Sequence, residues 1–212
     1  MVKKIQKIVE KTEGSYRHGN LREAILLASL EAIEKNGVDS LSIREIAKTA
    51  GVTHQAPYRH FKDKEALLAA LAQDGFEKLY QEMSKSVKDI NQPIEKIIAL
   101  GVSYLSWAAA HPAHFRLMFS QNIPEFEIYE GLQLAANSIL NLVLQVTKEN
   151  QDEKVIRNEE ARSLARQFWA TVHGVTLLFI DRQFKPLKGD LKAGQKLVHE
   201  IILNLINGLK PR

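Results

Sequence analysis

The stretch from Ser42 to Phe61, Ser-Ile-Arg-Glu-Ile-Ala-Lys-Thr-Ala-Gly-Val-Thr-His-Gln-Ala-Pro-Tyr-Arg-His-Phe, predicts two short helices joined by a tight turn. Apolar residues recur at spacings of three and four from Ile43 to Ala50, as they do on one face of a helix. Gly51 is expected to end that helix because glycine readily adopts a left-handed conformation. Thr53 is placed to cap the next helix. Two helices joined by a short turn with glycine match the helix-turn-helix, whose second helix enters the DNA major groove.

The helix-turn-helix lies within a longer pattern that runs in one register from roughly Asn20 to Leu71. The residues that carry the pattern are Leu41, Ser42, Ile43, Arg44, Glu45, Ile46, Ala47, Ala50, Gly51, Val52, Thr53, Tyr58, Phe61, Lys62, Lys64 and Leu67. In these residues the chain resembles the TetR family of bacterial transcriptional regulators. The resemblance implies an all-α protein with a three-helix DNA-binding domain, followed by a helical bundle for ligand binding and dimerisation.

Pro57 departs from the family pattern, which more often has an apolar residue other than proline at this position. If Thr53 caps the second helix, Pro57 removes the first intrahelical bond, because proline has no N–H to donate to the Thr53 carbonyl. The second helix is therefore expected to start one or two residues later. The contact made by His54, with a base or with the backbone, stays open.

Residues that typically begin or end helices divide the rest of the chain into predicted helices. Asn20 is a plausible cap for a first helix that Asn36-Gly37 ends. Asp63 caps a connector helix over residues 63–89, and Pro93 opens a new segment. We predict a DNA-binding domain with an N-terminal arm over residues 1–64 and a helical domain over residues 65–212. The helices expected in the second domain cover residues 94–110, 112–119, 126–148, 159–182 and 191–209.

A second resemblance lies in the C-terminal half. Trp169 followed by His173-Gly174, together with His111-Pro112 and the run from Phe115 to Phe119, is similar to the TetR C-terminal domain type named for Trp-His-Gly. It covers roughly Ile94 to Leu178. This resemblance implies a helical body that binds a ligand and dimerises, and it does not identify the ligand.

Composition narrows the function. Residues 1–64 hold 12 Lys and Arg against 8 Asp and Glu, whereas the remainder holds 17 of each, so the net charge of +4 lies with the helix-turn-helix. This is the charge pattern of phosphate binding, although a solvated basic face would look the same. The chain has no cysteine, and we find no metal-ligand spacing, Gly-rich phosphate loop or nucleophile elbow, so we expect neither an enzyme nor a cofactor. No signal peptide or membrane-spanning run appears, which fits a cytoplasmic protein.

Reading DNA requires phosphate contacts for register and base-edge contacts for sequence. Gln55 can bond bidentately to adenine, and the Ala56 methyl group can touch a thymine methyl group. The family resemblance implies that Arg44 reaches a base edge or a nearby phosphate. It also implies that four residues, Ser42, Tyr58, His60 and Lys64, hold the backbone. The full set of expected DNA-binding residues is Ser42, Arg44, Thr53, His54, Gln55, Ala56, Tyr58, Arg59, His60 and Lys64.

The body offers aromatic and histidine side chains as candidate lining of an effector pocket, since ligand pockets are mostly apolar with a few polar groups. These are Tyr104, Trp107, His114, Met118, Phe119, Phe168, Trp169 and His173. Aromatic residues at helical spacing are also typical of plain core.

The last two helices are apolar over a wide arc, which indicates burial on more than one side. We expect a dimer interface there through Leu164, Val175, Leu178, Val198, Ile202 and Leu205, with burial inside one chain as the alternative.

The sequence thus predicts a homodimeric repressor that binds a palindromic operator in double-stranded DNA and is released by a small apolar or aromatic effector. One alternative is a DNA-bound regulator gated by a protein partner, which would show exposed apolar surface and no enclosed cavity. A weaker alternative is a helical enzyme, which would need titratable residues clustered in a pocket.

Overall fold

The computed structural model describes residues 21–123, 126–187 and 189–211, and all the regular structure in these ranges is helical. The predicted all-α fold is confirmed. The α-helices are α1 Leu21–Asn36, α2 Ile43–Thr49, α3 Lys64–Val87, α4 Pro93–Ala110, α5 Pro112–Met118, α6 Glu130–Asp152, α7 Ala161–Ile180 and α8 Leu191–Gly208. Short 3-10 helices lie at Pro57–Arg59, Phe126–Ile128 and Lys185–Leu187. Asn20, which we predicted to cap the first helix, and the N-terminal arm lie outside the described residues.

The chain divides into two compact units between Leu68 and Ala69, within α3. The helix α3 is continuous from Lys64 to Val87 and therefore belongs to both units. The domain boundary that we predicted after residue 64 stays a prediction.

Helix ends follow the chemistry of the residues at each end. Gly37 adopts a φ of 83° and donates its N–H to the Ile33 carbonyl at 2.9 Å, which closes α1 as predicted. The Asp63 carboxylate accepts from the Ala66 N–H at 2.8 Å and caps α3. Glu160 and Asp190 cap α7 and α8 in the same way. Side-chain oxygens thereby satisfy N–H groups that have no partner inside these helices.

The first unit closes around apolar side chains of α1, α2 and the segment before α3. Its buried residues are Ile25, Leu26, Ile33, Leu41, Ile43, Ile46, Ala47, Phe61 and Leu67. The Arg22 guanidinium lies 5.7 Å from the centre of the Phe61 ring and makes a cation–π contact with this core residue.

In the second unit α4 is the central helix, and it packs against α6, α7 and α8. Gly101 permits the approach of α8, because a Cβ at this position would overlap Ile202 and lie 3.0 Å from Val198 Cγ1. Leu164, Val198 and Ile202 are each at most 1% exposed. The predicted dimer-interface role of these three residues is therefore corrected, since they pack inside their own chain.

No helix in the described ranges is both long and apolar enough to cross a membrane. Those ranges also hold no group of three His, Asp or Glu side chains that could bind a metal ion.

Candidate DNA interface and ligand cavity

The turn of the helix-turn-helix is built as a Schellman motif. Gly51 has a φ of 70°. The Val52 N–H donates to the Ala47 carbonyl at 3.0 Å, and the Gly51 N–H donates to the Lys48 carbonyl at 3.2 Å. These bonds satisfy the last carbonyls of α2 and set the direction in which the chain leaves the turn. Val52, which follows the turn, is half-buried.

The segment after the turn differs from the α-helix that a helix-turn-helix leads one to expect. The Thr53 carbonyl accepts from the Ala56 N–H at 3.0 Å in a tight turn, and a 3-10 helix then covers Pro57–Arg59. The expectation that the second helix starts one or two residues later is therefore wrong: between Thr49 and Lys64 the described chain forms no α-helix, and its only helical turn is the 3-10 helix that begins at Pro57. The Thr53 cap was wrong, because its hydroxyl makes no hydrogen bond with any described residue. Proline has no N–H to donate to the Thr53 carbonyl, which accepts from Ala56 instead, so no α-helix begins here for the Thr53 hydroxyl to cap. We call residues 53–60 the reading segment.

All ten residues that we predicted to bind DNA reach the surface of the first unit. Arg44, Thr53, His54, Gln55, Tyr58, Arg59 and His60 are exposed, and Ser42, Ala56 and Lys64 are half-buried. The Tyr58 ring is 51% exposed, so it is not a core residue. Ser42 occupies the N-cap position of α2, but its hydroxyl makes no capping bond and stays available to another partner.

Cations on this surface are largely uncompensated. Within the described ranges, neither Arg44 nor Arg59 forms an ion pair. Lys64 donates to the Asp39 carbonyl at 3.1 Å, which uses one of its three ammonium protons. Lys62, which we did not include among the DNA-binding residues, has a side chain 91% exposed and only a long 3.9 Å contact with Asp63. Such a surface suits a polyanion.

The second unit contains a cavity of about 250 Å³. We call it the ligand cavity. Its described lining residues are Phe76, Met118, Phe119, Phe126, Ala136, Asn137, Ile139, Leu140 and Trp169. Met118, Phe119 and Trp169 were predicted from the sequence, and the others were missed. Ala136 and Leu140 lie one helical turn apart on α6, a spacing that sequence alone cannot distinguish from plain core.

Other predicted pocket residues lie elsewhere. Tyr104 and Phe168 border a gap of only about 20 Å³ that shares Trp169 with the ligand cavity. Trp107 lines a separate groove of about 410 Å³, together with polar residues such as Lys78 and Glu82. His114 lines none of these spaces and faces α3 instead. Its expected role as lining is corrected by this packing.

A polar cluster lies beside the ligand cavity. The Tyr104 hydroxyl and His173 Nδ1 are 2.8 Å apart, and the Trp169 side chain also makes a polar contact with this hydroxyl. The indole N–H donates to the hydroxyl, and the direction of the bond between the hydroxyl and Nδ1 follows the tautomer of His173. Burial raises the pKa of Tyr104 and lowers the pKa of His173, so both groups stay neutral. We call these residues the Trp-Tyr-His cluster.

A second histidine ties α5 to α3. The His114 Nε2–H donates to the Leu71 carbonyl at 2.7 Å, and the ring is buried. Burial lowers the pKa of His114, although the Leu71 bond and nearby Asp74 act in the opposite direction. Gly75 makes this approach possible, because a Cβ there would lie 2.6 Å from Met118 Sδ and 2.7 Å from His114 Nε2. The residue after His114 on the same helix face, Met118, reaches the ligand cavity.

One predicted interface face remains open on the outside of α7 and α8. Leu178 is 45% exposed, while Val175 and Leu205 are half-buried. Gly174 lies beside them on α7, and a Cβ there would meet no atom within 4 Å. This outer face is uncharged at each of these positions, so a second helix pair could pack on it.

Comparison with known proteins gives matches in both units. Residues 25–71 match the family profile described as bacterial regulatory proteins, tetR family, and residues 97–201 match a tetracycline repressor-like C-terminal domain. The chain is 27% identical to the nucleoid occlusion factor SlmA of Aliivibrio fischeri over 80% of this chain and 88% of that protein.

Solved structures share the fold. A protein of unknown function from Rhodococcus sp. RHA1 is 30% identical, with a TM-score of 0.78, over 94% of this chain and 100% of that chain. The regulator FadR from Bacillus subtilis, solved in complex with stearoyl-CoA, is 21% identical with a TM-score of 0.71, over 85% of this chain and 96% of that chain. At that identity the second likeness concerns the fold alone.

Proposed function

This chain belongs to the TetR family of bacterial transcriptional regulators, and on that premise we propose that it is a homodimeric repressor released from a palindromic operator by a small effector. It is a DNA-binding regulator through its N-terminal family domain. The repressor activity, the homodimer, the operator symmetry, the effector and a cytoplasmic location are the parts that we propose.

The surface of the reading segment supports operator binding. It presents a neutral amide at Gln55 and an unpaired cation at Arg59, and α2 of the same unit adds the unpaired cation of Arg44. A neutral amide is suited to a base edge, whereas cations are suited to phosphate. The combination supports sequence-specific binding better than a uniformly basic face would. This exposed, uncompensated surface is the observation that carries the proposal.

The outer face of α7 and α8 supports the dimer. Leu178 is a large apolar side chain left 45% exposed, and Gly174 beside it leaves room for close helix approach. A helix-turn-helix that reads a twofold-symmetric site does so as a dimer. We therefore assign the interface to Val175, Leu178 and Leu205 and leave out the three buried positions.

The ligand cavity supports regulation by a small effector rather than by a protein partner. Its walls come from α3, α5, α6 and α7, so a molecule inside it touches the helix that continues into the first unit. Filling the cavity is expected to move α5, and the bond between His114 and Leu71 connects α5 to α3. An effector that prefers the moved state would then lower operator affinity through two-state coupling.

The alternative of a protein partner keeps one supporting observation. Ile128, at the end of the 3-10 helix before α6, and Leu134, in α6, are 64% and 65% exposed. Two exposed side chains make a small patch, whereas the half-open cavity of about 250 Å³ is lined mainly by aromatic and aliphatic side chains, so the small effector is the better supported proposal.

A salt titration of two variants tests the DNA proposal. Lys64→Ala should weaken binding to all sequences about equally. It should also lower the slope of log affinity against log salt by about one for each phosphate that Lys64 no longer neutralises, so roughly two per dimer. Gln55→Ala should leave the slope nearly unchanged and cost about 1–3 kcal/mol at one symmetric base-pair position.

The operators for this test come from genomic footprinting, followed by single-base substitution. Lys35→Ala is a matched control, because Lys35 is an exposed cation in the last turn of α1, away from the reading segment in sequence. If Gln55→Ala weakens every substituted operator equally, then Gln55 does not read a base. If Lys35→Ala changes the slope as much as Lys64→Ala, the effect is one of general charge.

A further inference from the structure

The size of the ligand cavity limits the molecule that fits. Its volume is about 250 Å³, and an apolar cavity of roughly 150 Å³ is large enough to hold benzene. A single bicyclic or cage-shaped hydrocarbon molecule is therefore large enough to fill the cavity.

The walls of the cavity favour a compact body. Phe76 and Phe119 meet edge to face with ring centres 5.3 Å apart, and the Phe119 and Trp169 rings are 6.4 Å apart. Phe76 and Met118 are each 4% exposed, so these walls are fixed by the surrounding core. Walls that are fixed in this way favour a rigid molecule, which binds without loss of chain entropy.

The cavity lining gives no partner to a charged ligand. None of the described lining residues carries a charge. A carboxylate or an ammonium group inside would lose its hydration without gaining an ion pair, which is costly. Asn137 is the polar side chain of the described lining; it is exposed, and its amide makes no hydrogen bond with the rest of the described chain. The amide can therefore donate to or accept from one polar atom of a ligand.

We propose that the ligand cavity takes a compact, uncharged, mostly hydrocarbon molecule with one hydrogen-bonding group that pairs with Asn137. The proposal rests on the effector role of this cavity and adds the chemical class of the effector. It predicts that carboxylates, amines and acyl thioesters of coenzyme A bind this cavity more weakly than an uncharged molecule of similar size.

Three probes with the same hydrocarbon cage test the charge requirement: 1-adamantanol, 1-adamantanecarboxylate and 1-adamantanamine. Calorimetry on the full chain at pH 7 should show saturable binding of the alcohol and at least tenfold weaker binding of both ions. Decanoyl-CoA serves as the acyl thioester. Equal or tighter binding of an ion or of decanoyl-CoA overturns the proposal, and so does the absence of binding by the alcohol.

Tryptophan emission places the bound probe. In a Trp107→Phe variant the emission comes from Trp169, a wall of the cavity, and 1-adamantanol should shift it with the affinity found by calorimetry. Ala136→Phe should fill the cavity and abolish binding of the alcohol, whereas Ala110→Phe, at an exposed position outside the cavity lining, should not. Binding that survives Ala136→Phe unchanged, or an alcohol that leaves Trp169 emission unaffected, overturns the assignment to this cavity.

Operator binding separates this inference from the function on which it rests. If 1-adamantanol binds as expected and operator affinity does not change, the ligand class stands and the coupling to DNA fails. If a charged molecule binds this cavity and releases the operator, the coupling stands and the ligand class fails.

Discussion

The replacement of Gly75 by alanine should loosen the contact between α3 and α5. A Cβ at this position would lie 2.6 Å from Met118 Sδ and 2.7 Å from His114 Nε2. Met118 is flexible and can move aside. His114 cannot move without losing its 2.7 Å bond to the Leu71 carbonyl. The substitution therefore acts chiefly on the buried histidine.

The magnitude follows from three contributions. Overpacking in a filled core costs about 1–3 kcal/mol. Leaving the buried His114 N–H without a partner costs about 1–3 kcal/mol if the ring is displaced. The change from glycine to alanine within a helix contributes about 1 kcal/mol in favour of folding. The first two contributions less the third lead us to expect that Gly75→Ala lowers the free energy of unfolding by about 1–5 kcal/mol.

The measurement is urea unfolding followed by circular dichroism at a fixed protomer concentration, because the stability of a dimer depends on concentration. The matched control is Gly208→Ala in α8, where a new Cβ would meet no atom within 4 Å. It should leave stability unchanged or raise it slightly. A Gly75→Ala variant as stable as the Gly208→Ala variant would refute the reasoning. The double variant Gly75→Ala/His114→Ala should show a non-additive recovery, since the second change removes the clash.

Four other substitutions test the dimer, the buried histidine and the reading segment. Leu178→Glu should give a folded monomer by sedimentation, whereas Val198→Glu should unfold the chain; a Leu178→Glu dimer as tight as the parent would refute the interface. Folding lowers the pKa of His114, so as pH falls the unfolded state takes up a proton on this side chain before the folded state does. The contribution of neutral His114 to stability is therefore fully present above the ordinary pKa of 6.5, and it is lost as pH falls from 6.5 towards the lowered pKa of the folded state. His114→Gln should flatten this decline in urea titrations, and an unchanged decline would assign it to other groups. Pro57→Ala restores an N–H, so helical content should rise in circular dichroism and operator affinity should fall more than affinity for random DNA.

The positions of the helices could be predicted from the sequence because glycine, proline and capping residues mark their ends. Gly37 and Gly51 both adopt the left-handed conformation that the pattern requires. Apolar periodicity also placed Ile43, Ile46 and Ala47 in the core. The form of the reading segment could not be predicted, since Pro57 indicated an α-helix with a delayed start, whereas the segment holds only a 3-10 helix.

The inner and outer sides of the last two helices could not be distinguished from sequence. Val198 and Leu205 are both apolar positions on α8, yet Val198 is 1% exposed and Leu205 is half-buried. Periodicity shows that one face of a helix is apolar, but it does not show whether that face packs against the same chain or against a second copy. The ligand cavity has the same limitation, because a residue beside empty space and a residue in filled core have the same pattern.

The place of Trp169 constrains how this protein could acquire a new specificity. The same side chain forms a wall of the ligand cavity and contacts the Tyr104 hydroxyl within the Trp-Tyr-His cluster. A substitution that reshapes the cavity at this position would also remove the partner of a buried hydroxyl, so each such step carries a cost in stability. Ala136 and Leu140 border the same cavity with hydrocarbon alone. Descendants that diverge in the molecule they sense should therefore vary on α6 while the tryptophan is retained.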